Sequence, residues 1–154
     1  MNLSFAKTVA YGGDGMNQEW EDEMSKFLKS HQASYGLMKG YGMTEMAGPV
    51  CTSNHKFPVM LPFFCNNIKI LDIDTGEELG YDQEGEICVS GPSMMLEYYK
   101  NPEATREIIF EENGTRWLRT GDLGHATKEG YFRLTGRLKI RHRQEFTRWR
   151  LKMY

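Results

Sequence analysis

The chain has 154 residues, 40% hydrophobic and 26% charged, which is an ordinary composition for one globular domain with a real core. Its formal net charge of −2 gives no general attraction to nucleic acid or to an anionic membrane, and no apolar run is long enough to span a bilayer. The first residues lack the basic and apolar regions of a secretory signal. Cys51, Cys65 and Cys88 lack metal-ligand spacing and are interpreted as reduced thiols, so we expect a cytoplasmic protein.

The first part of the chain predicts a strand followed by a helix. The run Leu3 to Tyr11 is typical of a strand that ends at the glycine turn 12–15, where the missing Cβ atoms suit either a tight turn or close approach of a ligand. The helix is predicted from about Asn17 to Ser30, with acids near its start and lysines near its end. Its apolar residues form one stripe, which we expect to lie in the core. The stripe comprises Trp20, Met24, Phe27 and Leu28.

A pentapeptide with nucleotide-binding chemistry follows the predicted strand Tyr35–Gly40. Tyr41-Gly42-Met43-Thr44-Glu45 supplies a ring, a flexible glycine, a hydroxyl and a carboxylate within five residues, and we expect it to form a loop. A nucleotide site needs a flat surface for the base, a donor for phosphate and an acid for Mg²⁺. An ordinary loop without a ligand fits the same residues. Residues 47–67, which contain three prolines, are expected to be irregular.

From residue 67 onward the pattern changes to short strands with turns between them, which is typical of a small barrel or meander. A helix is predicted from Asn101-Pro102 to about Phe110, because Asn can cap a helix and Pro suits its first position. Asn113-Gly114 is expected to turn the chain back. The predicted strands are Ile68–Ile73, Gly85–Ser90, Trp117–Arg119 and Tyr131–Thr135.

Two more motifs follow the pentapeptide, Thr120-Gly121-Asp122 and Gly136-Arg137-Leu138-Lys139. In this order the three motifs resemble the adenylate-forming superfamily of acyl-CoA synthetases, peptide-synthetase adenylation domains and luciferases. The resemblance runs from about Val9 to Lys139 and implies a mixed α/β fold, the later part of an acyl-CoA synthetase-like large domain. It implies an α/β piece at residues 1–66, a mostly β, distorted-barrel subdomain at 67–137 and a hinge at 138–140.

The resemblance also implies roles for single residues around ATP or AMP. The implied nucleotide-binding residues are Gly12, Gly13, Asp14, Tyr41, Gly42, Thr44, Asp122 and Arg137. Thr44 on a phosphate and Glu45 on Mg²⁺ are the catalytic candidates. Asp122 would accept hydrogen bonds from the ribose hydroxyls, with a turn or cap aspartate as the alternative. Arg137 would contact ribose or phosphate, and Lys139 would be the hinge between the large and small domains.

The implied reaction joins a carboxylic acid to ATP and then passes the acyl group to CoA, with a fatty acid as one candidate substrate. A peptide-synthetase adenylation domain and a non-catalytic AMP/ATP-binding remnant are the alternatives. Phe57–Phe64 stands where related proteins are glycine-rich, and indicates either core packing or a divergent acyl pocket. Tyr131 and Phe132 either flank the nucleoside or pack in the core. No protein partner is predicted.

The family pattern stops after Lys139, and residues 141–154 form a basic tail. It is either an interaction tail or the result of a frameshift. Codons read from the third base of the codons from Glu145 onward can encode the Pro-x-Glu-x-Glu of the family, so we expect an insertion or deletion between Lys139 and Phe146. The phosphate loop expected upstream and the catalytic lysine expected downstream are absent from the sequence. We therefore expect a fragment that is inactive alone.

Overall fold

The computed structural model of the chain describes residues 1–13, 15–53 and 59–138. The chain forms two compact units, of which the first comprises Met1–Phe63 and the second begins at Phe64. Each unit has its own sheet, and the predicted mixed α/β fold is confirmed. Asp14, Lys139 and the tail 141–154 lie outside the described residues.

The first unit is a four-stranded sheet with one helix. Strands β1 and β2 are parallel, from Val9 opposite Leu37 to Gly12 opposite Gly40, and the remaining pairs β2–β3 and β3–β4 are antiparallel. Asn17 caps the helix by accepting a hydrogen bond from the Trp20 amide at 2.8 Å. The elements are β1 (Val9–Gly12), α1 (Gln18–Ser30), β2 (Leu37–Met43), a 3₁₀ turn (Thr44–Met46), β3 (Gly48–Thr52) and β4 (Leu61–Pro62).

Two predictions about where elements begin and end in this unit were wrong. The predicted strand Leu3–Tyr11 is only β1, because residues before it form turns instead: the Leu3 amide donates to the His31 carbonyl at 2.7 Å and the Ala6 amide to the Leu3 carbonyl at 2.9 Å. The pentapeptide 41–45 is not a loop throughout. Its first three residues complete β2, since they pair with β3, and only Thr44 and Glu45 leave the strand.

The stretch 47–67, predicted to be irregular, contains β3 and β4. Two of its residues, Val50 and Cys51, are fully buried, and this burial holds β3 against β2. Pro49 is tolerated within β3 because it stands opposite Gly42, next to an irregularity in the pairing. The presence of prolines was therefore not a reliable sign of irregular structure in this region.

The apolar stripe of α1 was predicted to be core, and most of it is exposed. Trp20 is 64% exposed, and Met24 and Phe27 are about 40% exposed, at 41% and 42%. Only Leu28 of the stripe is buried, and it shares the sheet-facing side of the helix with Glu21, seven residues earlier. The hydrogen bonds of Glu21, described below, turn that side of the helix toward the sheet.

The second unit is an antiparallel sheet centred on one long strand. Strand β8 pairs along one side with β6, and along its other side with β7 at its start and β9 at its end. Strand β5 completes the sheet beside β6. The elements are β5 (Asn67–Leu71), β6 (Gly85–Ser90), α2 (Pro102–Ile108), β7 (Ile109–Glu112), β8 (Thr115–Ala126) and β9 (Phe132–Arg137).

Several local predictions in this unit are confirmed, although some element ends shift: the strand predicted to Ile73 ends at Leu71 and the helix predicted to about Phe110 ends at Ile108. The predicted strand Gly85–Ser90 is β6, with every residue buried. The side chain of Asn101 caps α2 by accepting from the Ala104 amide at 3.1 Å. Asn113 and Gly114, with φ of 51° and 73°, form a two-residue hairpin between β7 and β8. The predicted strand 117–119 is longer than expected, since β8 continues through Thr120-Gly121-Asp122.

Candidate functional site

The carboxyl ends of two parallel strands bring several predicted site residues together in the first unit. Gly12 ends β1 and lies opposite Gly40, so Gly13 follows next to the point where β2 enters the pentapeptide 41–45. We call Gly12, Gly13 and residues 41–45 the carboxyl edge. In open α/β sheets ligands bind outside the carboxyl ends of the strands, so the carboxyl edge is where a ligand site is expected.

The glycines of this edge have packing reasons of their own. A Cβ on Gly12 would lie 2.7 Å from the carbonyl oxygen of Gly40, across the parallel pair. A Cβ on Gly42 would lie 2.6 Å from the Cα of Pro49 and closer still to the carbonyl oxygen of Gly48. Gly13 has a φ of +89°, which disfavours other residues. Close backbone contact therefore requires glycine at positions 12 and 42 with or without a ligand.

The polar groups of the edge differ in exposure. The Tyr41 side chain is buried, with its residue opposite Cys51 of β3. Thr44 is exposed and Glu45 half-buried, both in the 3₁₀ turn that follows β2. The Ala47 amide closes this turn by donating to the Thr44 carbonyl at 2.9 Å. The structure therefore presents a hydroxyl and a carboxylate on neighbouring residues directly after β2.

A complete protein cage for a metal ion is not found among residues 1–13, 15–53 and 59–138, which hold no cluster of three or more His, Cys, Asp or Glu in reach of one ion. A single carboxylate such as Glu45 suits a different kind of Mg²⁺ site. Mg²⁺ usually keeps several waters and binds through one or two carboxylates together with substrate phosphates. Glu45 therefore suits a cation that arrives with a nucleotide.

A buried glutamate that sequence reasoning missed fixes both strands of the edge. Glu21 of α1, 7% exposed, accepts a hydrogen bond from the Tyr11 hydroxyl and an ion-paired one from Lys39 Nζ at 2.6 Å. Burial raises the pKa of Tyr11 strongly, and the Glu21 carboxylate adds to the rise. Tyr11 and Lys39 directly precede Gly12 and Gly40, so the Glu21 side chain binds both strands just before the carboxyl edge.

The sequence carried a signal for this glutamate. Glu21 was counted among the acids at the start of the helix, but it lies seven residues before the buried Leu28 and so on the same side of α1. An acid on the core side of a helix needs a cation or a donor.

Beside Glu21, a polar cavity of about 320 Å³ lies between α1 and β2, and none of the residues of the carboxyl edge lines it.

The second unit pairs the two residues predicted to bind ribose. Asp122 of β8 lies opposite Arg137 of β9, and Arg137 Nε donates to Asp122 Oδ1 at 2.7 Å. The Asp122 side chain is 2% exposed, whereas that of Arg137 is 67% exposed. The alternative of a turn or cap aspartate is wrong, because Asp122 lies inside a strand. A carboxylate has several acceptor positions, so that of Asp122 can accept from hydroxyls of a bound molecule as well as from Arg137.

Of the two aromatic residues with alternative readings, Phe132 is 2% exposed and belongs to the core of the second unit, while Tyr131 is half-buried. Among the described residues, no helix is both long and apolar enough to cross a bilayer.

Comparison with known proteins identifies the family of this fold. Residues 1–99 match the family model described as AMP-binding enzyme. The chain is 42% identical over 144 residues to luciferin 4-monooxygenase of Luciola mingrelica, covering 90% of this chain and 25% of that protein. It is 34% identical over 146 residues to probable 4-coumarate–CoA ligase 1 of Dictyostelium discoideum, with the same coverage of 90% and 25%.

A solved structure shows the same architecture. A long-chain-fatty-acid–CoA ligase from Archaeoglobus fulgidus superposes with a TM-score of 0.80 at 25% identity, over 89% of this chain and 29% of that one. The chain thus spans about a quarter of the length of the curated relatives it matches, at 25% of each.

Proposed function

The chain belongs to the AMP-binding, adenylate-forming enzymes, and from this premise we propose that it forms part of the nucleotide site of an AMP-forming carboxylic acid–CoA ligase. The observation that carries the proposal is the meeting of Gly12 and Gly13 with residues 41–45 at the carboxyl ends of β1 and β2. The family match covers this edge, since it extends over residues 1–99.

In this proposal different residues of the carboxyl edge contact different groups of the nucleotide. The exposed backbone of Gly12 and Gly13 allows the adenine to approach closely, and the ring of Tyr41 provides an apolar wall beside it. The Thr44 hydroxyl donates to a phosphate oxygen. Glu45 would hold Mg²⁺, which would supply positive charge to neutralise the phosphates.

A separate proposal concerns Asp122 and Arg137 of the second unit. Asp122 accepts hydrogen bonds from the 2′- and 3′-hydroxyls of a ribose, beside its ion pair with Arg137. Arg137 contributes a charged donor that reaches ribose or phosphate.

The whole reaction proceeds in two steps. An oxygen of the substrate carboxylate attacks the α-phosphorus of ATP, a bond to the α-phosphate forms, and the bond to pyrophosphate breaks. The thiol of CoA then attacks the acyl carbonyl and AMP leaves, with the thiol proton passing to solvent or to a base. The residues described here bind and orient the nucleotide, which lowers the barrier through positioning and charge.

Calorimetric titration with AMP and MgCl₂ tests this function. We expect saturable binding by the unsubstituted chain and a loss of about tenfold or more in affinity for Asp122→Asn, since hydrogen bonds to a charged group contribute about 1.5–3 kcal/mol each. The matched ligand is 2′,3′-dideoxy-AMP, which lacks both hydroxyls. Asp122→Asn should bind it as the unsubstituted chain does. Equal losses for both ligands would exclude the ribose role.

We further propose that the isolated chain does not form acyl-adenylate. ATP–pyrophosphate exchange with a panel of aliphatic and aromatic carboxylic acids should remain at background. Exchange above background with any acid would overturn this, and the acid would then identify the substrate class. If exchange is observed, transfer of the acyl group to CoA rather than to a carrier protein would separate the CoA-ligase proposal from the alternative of a peptide-synthetase adenylation domain.

A further inference from the structure

The Thr120-Gly121-Asp122 segment does not pair regularly within the sheet of the second unit. In the β6–β8 ladder Glu86 lies opposite Leu123, whereas Cys88 lies opposite Arg119. Residues 120–122 therefore bulge opposite the single residue Ile87. A bulge of this kind leaves backbone groups without ladder partners and re-aims the side chains within it.

Side chains from both strands close this bulge. Thr120 Oγ1 donates to the Ile87 carbonyl at 2.8 Å and accepts from the Asp122 amide at 3.1 Å. The amide of Gly121, whose φ of +71° suits glycine, donates to Glu86 Oε1 at 3.1 Å. The backbone on both sides of the bulge is thus fixed by one hydroxyl and one carboxylate.

Glu86 is unusual for a residue inside a buried strand. Its side chain is 8% exposed, and its second oxygen accepts from Arg119 Nη1 at 2.7 Å. A buried carboxylate needs both a counter-charge and hydrogen-bond donors, and Arg119 and Gly121 supply them on either side of the motif's first residue. The carboxylate therefore bridges β6 to the two ends of the Arg119–Gly121 step.

We infer that Glu86 is a positioning residue for nucleotide binding: by holding Arg119 and the Gly121 amide it sets the bulge that aims the Asp122 carboxylate at the ribose. The inference rests on the proposed function, since it needs Asp122 to bind ribose. Glu86 acts through Arg119 and the backbone of Gly121 and does not itself contact the ribose. The expectation is a selective loss of ribose recognition when Glu86 cannot serve both donors.

Glu86→Gln makes this change with almost no change of shape. The amide has one acceptor oxygen, so it can serve Gly121 or Arg119, and its NH₂ group then faces the other donor. A control is Glu112→Gln, because Glu112 also ion-pairs across the same sheet, and within the described part of the chain its ion pair is with Lys69 and not with residues 119–122. Both variants are compared in urea unfolding before binding is measured.

The affinities for AMP and for 2′,3′-dideoxy-AMP decide the inference. We expect Glu86→Gln to weaken AMP about tenfold and to leave the dideoxy ligand unchanged, while Glu112→Gln changes neither. An unchanged affinity for AMP in Glu86→Gln, or equal weakening of both ligands, overturns the positioning role. If the unsubstituted chain does not distinguish the two ligands, the ribose role of Asp122 fails as well. If Glu86→Gln does not fold, Glu86→Asp replaces it, with the same selective loss expected.

Discussion

Gly42 is the residue of the pentapeptide whose role the structure changes most, and Gly42→Ala tests that change. An added Cβ would lie 2.6 Å from Pro49 Cα and 2.7 Å from the Gly48 carbonyl carbon, both backbone atoms of β3. Because no flexible side chain can move aside, β2 and β3 must separate. Overpacking of this kind typically costs 1–3 kcal/mol and occasionally more, and we expect about 3 kcal/mol here.

The control is Gly40→Ala in the same strand. Its Cβ would have one neighbour, the Tyr11 carbonyl oxygen, at 3.6 Å, which is ordinary contact. Alanine also restricts the unfolded chain more than glycine does, so we expect a neutral effect or a gain of about 0.5–1 kcal/mol. The two variants add the same methyl group, two residues apart, and differ only in what it meets.

The free energy of unfolding is measured in urea through labelling of the Cys51 thiol, because Cys51 is fully buried and lies opposite Tyr41 in β3. With a slope of about 1–3 kcal/mol per molar urea, a loss of 3 kcal/mol lowers the midpoint by at least about 1 M. Equal midpoints for Gly42→Ala and Gly40→Ala would refute the packing argument. If Gly42→Ala then lost only AMP binding, a ligand-contact role would replace it.

Two further predictions concern pH and a turn. Burial raises the pKa of Cys88 to about 12, while an unfolded thiol has a pKa of about 8.5, so its contribution to stability is complete below pH 8.5 and is lost as pH rises toward 12. Between pH 8 and 10 the free energy of unfolding should fall by about 2 kcal/mol for this thiol, and Cys88→Ala should remove that part of the slope, while the part due to Cys51, whose pKa burial also raises, remains. Gly114→Ala should lower the free energy of unfolding by about 1 kcal/mol, because φ is +73° at this position. The control Gly80→Ala should not, because Gly80 is exposed and no atom lies within 4 Å of an added Cβ. Equal unfolding midpoints for these two variants would contradict the turn argument.

The elements that sequence reasoning placed well are those with a local cause. Gly85–Ser90 alternates, with Ile87 and Val89 on one face, and Asn101-Pro102 combines a capping side chain with a proline at the first helical position. Asn113-Gly114 can take the two positive φ angles of a hairpin turn. Each of these signals acts within a few residues, so the sequence states it directly.

The elements that were misplaced depend on partners far along the chain. Strand β3 looked irregular because of its proline, and only its pairing with β2 makes a strand of it. The stripe of α1 satisfied the helical period, yet the side that faces the sheet is chosen by Glu21 through Tyr11 of β1 and Lys39 of β2. Periodicity gives the face of a helix but not what competes for the interior.

The candidate site shows the same division. The three motifs identify residues by type and order, but the reason for a glycine at 42 and the pairing of Asp122 with Arg137 appear only when β3 and β9 are in place. What the motifs omit is the support behind them. Glu21 and Glu86 belong to none of the three motifs, and both are buried carboxylates. Each accepts a hydrogen bond from a residue that lies in a motif or within two residues of it: Lys39 for Glu21 and Gly121 for Glu86.

Buried ion pairs are weak evidence for stability, because desolvation of the charges offsets most of their attraction. If Glu21 and Glu86 served stability alone, apolar residues of similar size would serve as well. A carboxylate can do what an apolar residue cannot: it takes two donors at once, in fixed directions, from separate strands or from the two sides of a bulge. In this chain the donors are Tyr11 and Lys39 for Glu21, and Arg119 and Gly121 for Glu86. We therefore expect substitutions of these glutamates to change ligand affinity as well as unfolding free energy, whereas Gly42→Ala should change chiefly the unfolding free energy.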